Sequence, residues 1–142
     1  ITSLVESNFY KNSNQIFIKT STGYYGGFGA TIKDVKLMKN AAKLLIGKHD
    51  FTAFRSVDCQ ANSPVKTIDN ITIKKDGELI EIYVEAKSFL MNQVRIIAGT
   101  LVDIGLLKKT EKDILMALKT KDKKFSGPTA PASALVLQEV IY

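Results

Sequence analysis

The stretch "VKTIDNITIKKDGELIEIYVEAK", residues 65–87, constrains the fold of this chain more than any other. Ile71 and Ile73 alternate with polar residues on one arm, and Ile80, Ile82, Val84 and Ala86 alternate with Glu81, Tyr83 and Glu85 on the other. Between the arms, Asp76 and Gly77 are residue types that tolerate the left-handed backbone of a tight hairpin turn. A period of two sends every apolar side chain to one face, so the segment predicts an antiparallel hairpin with one buried and one wet face.

The remaining elements follow from period and punctuation. "QIFIKT" at 15–20 is a short strand candidate, and "GYYGGFG" at 23–29 is a glycine-aromatic loop without the lysine or spacing of a phosphate-binding loop. From Asp34, a natural N-cap, Val35, Met38, Ala41, Ala42 and Leu45 mark a helix that stops at Gly47. After the hairpin, "SFLMNQVRIIAGTLVDIG" at 88–105 places Leu90, Val94, Ile97, Ala98 and Leu101 at helical spacing, with Ser88 as N-cap and Gly105 as stop. Thr110 and Asp113 form a capping-box pattern for a further helix through Ile114, Leu115 and Leu118. "ALVLQEVIY" at the end reads as an inner strand. The order of strand, helix, two strands, two helices and strand predicts an α+β fold of the ferredoxin-like split βαβ kind, an antiparallel sheet with its helices on one face. Residues 1–30 form a lead-in with a short strand, and 31–142 form the domain.

At 142 residues and 45% hydrophobic content, the chain holds one domain with a real core. No apolar run reaches membrane-spanning length, and no succession of charged, apolar and small residues at the start suggests a signal peptide. One cysteine, Cys59, and one histidine, His49, exclude an internal disulfide framework and argue against a structural zinc site. A reducing, cytoplasmic setting fits this usage. The same scarcity leaves no Ser-His-Asp or Cys-His constellation. His49 sits where it can cap the preceding helix, Asp50 can cap the next turn, and Phe51 and Phe54 read as core anchors. Twenty Lys and Arg against 14 Asp and Glu give a formal charge of +6, which favours polyanionic partners. Lysines gather at "KTKDKK", 119–124, and along Lys33, Lys36, Lys39, Lys43 and Lys48. Each cluster is either a solvated face or an RNA contact, and Arg55 is open to the same two readings.

Arg95 is the outlier. It lies one turn from Met91 and from Gly99, among small and apolar neighbours. Either its methylene stem lies along the apolar stripe with the charged head in water, or the head is held at the floor of a cleft to meet a carboxylate or phosphate, the planar anions its forked donors match.

"HDFTAFRS", "SPVKTI", "FLMNQVRIIAGTLVDIG", "KDKK" and "APASALVLQEVIY", taken in order and spacing, resemble the C-terminal half of the tRNA pseudouridine synthase A family, from about Asp34 to Tyr142. The resemblance implies half of a pseudouridine synthase fold. It also implies isomerisation of uridine to pseudouridine in tRNA, in the anticodon stem-loop, with no cofactor and no metal. In that family an aspartate begins cleavage of the glycosidic bond, the uracil turns, and C5 rejoins the sugar. The position matching the family's active-site arginine is Arg95, and the leucine of the pocket corresponds to Leu135. A guanidinium at salt-bridge reach lowers a carboxylate pKa by about 1–3 pH units and fixes its orientation. Arg55, Lys66, Lys119, Lys121, Lys123 and Lys124 are the expected RNA contacts, and Phe89 and Val94 the expected supports of the arginine helix. The implied partners are tRNA, the N-terminal half of the same protein and a second copy in a homodimer.

The departures are specific. The family's catalytic aspartate lies in a G-R-T-D segment, and no such segment occurs in these residues. This chain alone is therefore expected to be inactive. Ala134 stands where the family usually has glycine, and Lys66 and Lys123 replace frequent arginines, keeping the charge without the fork. The alternative reading is a non-catalytic RNA-binding or assembly module of the same fold.

Overall fold

A computed structural model describes residues 15–21, 32–57, 63–76, 79–130 and 135–141, with 15–21, 76, 79 and 135–141 described by backbone alone. The strands are β1 (Gln15–Ser21), β2 (Gly47–Asp50), β3 (Val65–Asp76), β4 (Leu79–Ala86) and β5 (Leu135–Ile141). They form one antiparallel sheet in the order β2-β3-β4-β1-β5. Three helices complete the fold: α1 (Val35–Leu45), α2 (Gln93–Gly105) and α3 (Glu111–Thr120). β1 and β3 run parallel with antiparallel β4 between them, which is the predicted split βαβ arrangement.

The predicted hairpin forms, with Ile73 opposite Ile82, Ile71 opposite Val84, and Asp76 paired to Leu79 as the last strand residue. Residues 77 and 78, which include the predicted turn glycine, lie outside the described residues. Strict alternation from Ile73 and Ile71 would send Asp69 into the core. A bulge between Ile68 and Asn70 shifts the parity, so Ile68 is buried and Asp69 exposed.

Two features differ from expectation. β2 has no apolar alternation and exists because it pairs with β3, from Gly47 opposite Ile68 to Asp50 opposite Val65. β5, read as an inner strand, lies at the sheet edge and pairs only with β1 among the described strands. The glycine-aromatic loop at 23–29 falls outside the described residues.

The inward residues Ile68, Ile71, Ile73, Ile80, Ile82, Val84 and Ala86 share one core with the buried faces of the helices. α1 contributes Met38, Ala41, Ala42 and Leu45, and α3 contributes Ile114 and Ala117. Each fully buried large aliphatic or aromatic side chain contributes about 1.5–3 kcal/mol. The caps of α1 and α3 agree with the sequence. Asp34 accepts from Leu37 N–H at 3.0 Å, Gly47 ends α1 with φ +103°, and Thr110 and Asp113 close a capping box. Backbone N–H groups of Lys33 and Asp34 donate to the Gly105 carbonyl at 2.8 and 3.2 Å, fixing the start of α1 to the end of α2. Among the described residues no helix is long and apolar enough to cross a membrane.

Candidate active site

The approach to α2 decides where Arg95 points. Ser88 does not cap the helix; its Oγ accepts from Lys66 Nζ at 3.0 Å. Phe89 and Leu90 instead enter the core on non-helical backbone, and α2 begins only at Gln93. Asn92, at φ 63°, turns the chain into the helix through the left-handed region. Leu90 fits the helical spacing of Val94, Ile97 and Leu101, so periodicity alone extends the helix too far back. Buried Gln93 folds back so that its Oε1 accepts from Leu90 N–H at 2.7 Å, while its Nε2 has no partner among the described residues.

Arg95 is half-buried, and its head is engaged rather than loose in water. Nε donates to the Ala130 carbonyl at 2.6 Å, and Nη1 donates to Asn92 Oδ1 at 2.9 Å. Both acceptors are neutral, and Arg95 makes no ion pair among the described residues. A fork aligned by uncharged groups keeps its positive charge available.

The segment carrying Ala130 lies tightly on α2. A Cβ on Gly99 would sit 1.7 Å from the Pro128 carbonyl oxygen, and one on Gly127 would sit 2.7 Å from the Thr100 backbone. Gly127 N–H donates to Thr100 Oγ1 at 2.7 Å, and that hydroxyl donates to the Ile96 carbonyl at the same distance. Glycine inside a helix costs about 1 kcal/mol relative to alanine. Here its missing side chain admits another backbone.

Basic residues converge beside the start of α2. Phe51 and Phe54, both fully buried, anchor the short 3-10 turn Thr52–Phe54, and Arg55 follows it. Ser56 N–H donates to the Met91 carbonyl at 2.9 Å, tying this turn to the α2 lead-in. From a second 3-10 turn, Lys123–Phe125, the Lys123 ammonium donates to the Arg55 carbonyl. Lys121 Nζ lies 3.8 Å from Asp50 Oδ2. Burial would raise the Asp50 pKa, but hydrogen bonds from Thr52 and the charges of Lys121 and Arg55 outweigh it, and the carboxyl lies below its usual range. Burial, with the Arg55 charge nearby, pushes the Lys123 ammonium down. His49 Nε2 lies 3.0 Å from the Ile46 carbonyl, in the capping position the sequence suggests.

The match to known proteins is direct. A family model for tRNA pseudouridine synthase matches residues 41–142. This chain belongs to the tRNA pseudouridine synthase family. It is 49% identical over 109 residues to tRNA pseudouridine synthase A of Agrobacterium fabrum, covering 77% of this chain and 41% of that protein. The relative from Sinorhizobium fredii is also 49% identical, and that from Bartonella tribocorum 46%, each over 77% of this chain and 44% of the relative. The chain thus spans about two fifths of the length of these curated relatives.

Within this pseudouridine synthase domain, the residues expected to form the site are distributed unevenly. Arg55, Lys121 and Lys123 come together, and Lys66 reaches the same end of the sheet through Ser88. Lys124 pairs with Asp122 at 3.8 Å and lies over the Phe125 ring, and Lys119 is exposed in the last turn of α3. Phe89 and Val94 are buried under α2. Leu135 opens β5 opposite Thr20, with its side chain outside the described residues. Sequence reasoning missed Asn92 and Ala130. The available signals were an asparagine before the helix and the pairing of Gly99 with a Gly-Pro loop.

Proposed function

We propose that this domain is the C-terminal half of an enzyme that isomerises uridine to pseudouridine in tRNA, with targets in the anticodon stem-loop. Arg95 is the partner of a catalytic aspartate supplied by the N-terminal half. The observation that carries this reading is the half-buried Arg95 fork, oriented by two neutral oxygens and left without a counter-ion among the described residues. An aspartate brought against it is held ionised and aligned with the glycosidic bond. The adjacent Arg55, Lys121 and Lys123 supply charge for RNA phosphates, and Lys66, Lys119 and Lys124 extend it. These contacts help offset the few kcal/mol needed to unstack the target base. Leu135 lines the uracil pocket, no cofactor takes part, and the complete protein works as a cytoplasmic homodimer.

The test is Arg95→Ala in the complete protein. Pseudouridine formation falls by at least a hundredfold while tRNA binding stays within about twofold; near-normal turnover overturns the assignment. The isolated chain binds tRNA with strong salt dependence and forms no product until the N-terminal half is supplied. Binding without product even then supports the non-catalytic module.

A further inference from the structure

Asparagine is among the strongest N-cap residues, because its side-chain oxygen accepts from the orphan N–H groups of the first helical turn. Asn92 occupies the N-cap of α2 and makes no such bond. Its Oδ1 accepts from Arg95 Nη1 at 2.9 Å instead. The residue also takes φ 63°, a conformation that is uncommon outside glycine and for which asparagine is enriched. One helical turn separates the two residues, so the left-handed φ and the redirected carboxamide act on the guanidinium from directly below.

We infer that Asn92 is a positioning residue for pseudouridine formation: its carboxamide oxygen, diverted from helix capping, fixes the rotation of the Arg95 guanidinium. This rests on the role proposed above for Arg95. The Ala130 carbonyl holds Nε and fixes one edge of the planar fork. A single contact leaves the plane free to swing about that edge, and the second contact at Nη1 removes the freedom. The remaining Nη1 and Nη2 donors are then held in fixed directions, as a bidentate carboxylate requires. Because the acceptor is an amide, it orients the fork without neutralising it.

The left-handed backbone allows a substitution that separates positioning from folding. Glycine adopts φ near +60° without steric cost, so Asn92→Gly in the complete protein keeps the turn and removes the carboxamide that holds Nη1. The expected result is a kcat at least tenfold lower, with KM for tRNA within about twofold and the melting temperature within a few degrees of the original. Asn92→Asp keeps an acceptor oxygen and tolerance for the left-handed region but sets a negative charge against the guanidinium, so its kcat also falls below the original. Arg95→Ala is measured in parallel. If that variant is inactive while Asn92→Gly turns over normally, the positioning role is overturned and the Arg95 assignment survives. If Arg95→Ala is itself active, the underlying reading fails instead.

Discussion

Arg95 and Ala130 hold each other through two reciprocal hydrogen bonds: the Ala130 N–H donates to the Arg95 carbonyl at 3.0 Å, and the Arg95 Nε–H donates to the Ala130 carbonyl at 2.6 Å. Residues 35 positions apart in the chain are thereby joined backbone to backbone and side chain to backbone. The segment from Gly127 to Ala130 works as a strap across α2, and the orientation of the guanidinium depends on how closely that strap lies.

Gly99→Ala tests this dependence. The added Cβ would meet the Pro128 carbonyl at 1.7 Å, a backbone atom that cannot rotate away. The strap has to lift, costing about 1–3 kcal/mol as overpacking typically does. Lifting it also stretches the Ala130 contact to Arg95. We expect a lower melting temperature together with a loss of turnover in the complete protein.

Arg95→Lys keeps a positive charge on a long stem but cannot hold Ala130, Asn92 and an incoming carboxylate at once. On the role proposed for Arg95, turnover of the complete protein should fall at least a hundredfold, with tRNA binding close to the original. Steady-state kinetics beside a filter-binding measurement checks this.

Arg55 and Lys123 are side-by-side cations, and each phosphate contact contributes about one to the slope of log binding constant against log salt. Lys123→Ala should lower that slope by about one and weaken binding of different tRNAs alike. A salt titration that leaves the slope unchanged removes Lys123 from the interface.

Two carboxylates give opposite pH signatures. Asp103 lies in the last turn of α2, where burial raises its pKa against the pull of Lys108 and Lys109. A raised folded-state pKa means its favourable contribution is present below the unfolded value of 3.8 and is lost as pH rises through the folded value. Asp103→Asn should therefore stabilise the protein at neutral pH, by about 0.3–1 kcal/mol as charges at helix ends do, with the gain fading towards pH 3.8. Asp50 is depressed, so its contribution is present above 3.8 and is lost as pH falls through the folded value. Asp50→Asn should destabilise at neutral pH and matter little in acid. Denaturant unfolding across pH checks both signs.

The sequence by itself determined the hairpin, three helices, their caps at Asp34 and Thr110, the buried Phe51 and Phe54, and Arg95 as the misplaced charge. These follow from periodicity and local hydrogen bonding, which a chain carries along its own length. Tertiary structure alone decided the rest. β2 needs β3 to exist, and the bulge at Ile68 answers to the core rather than to alternation. The start of α2 is set by the burial of Phe89 and Leu90, and the Arg95 fork is fixed by a carbonyl 35 residues away. Such contacts depend on which backbones come within hydrogen-bond reach once the core has closed, and no local period encodes that.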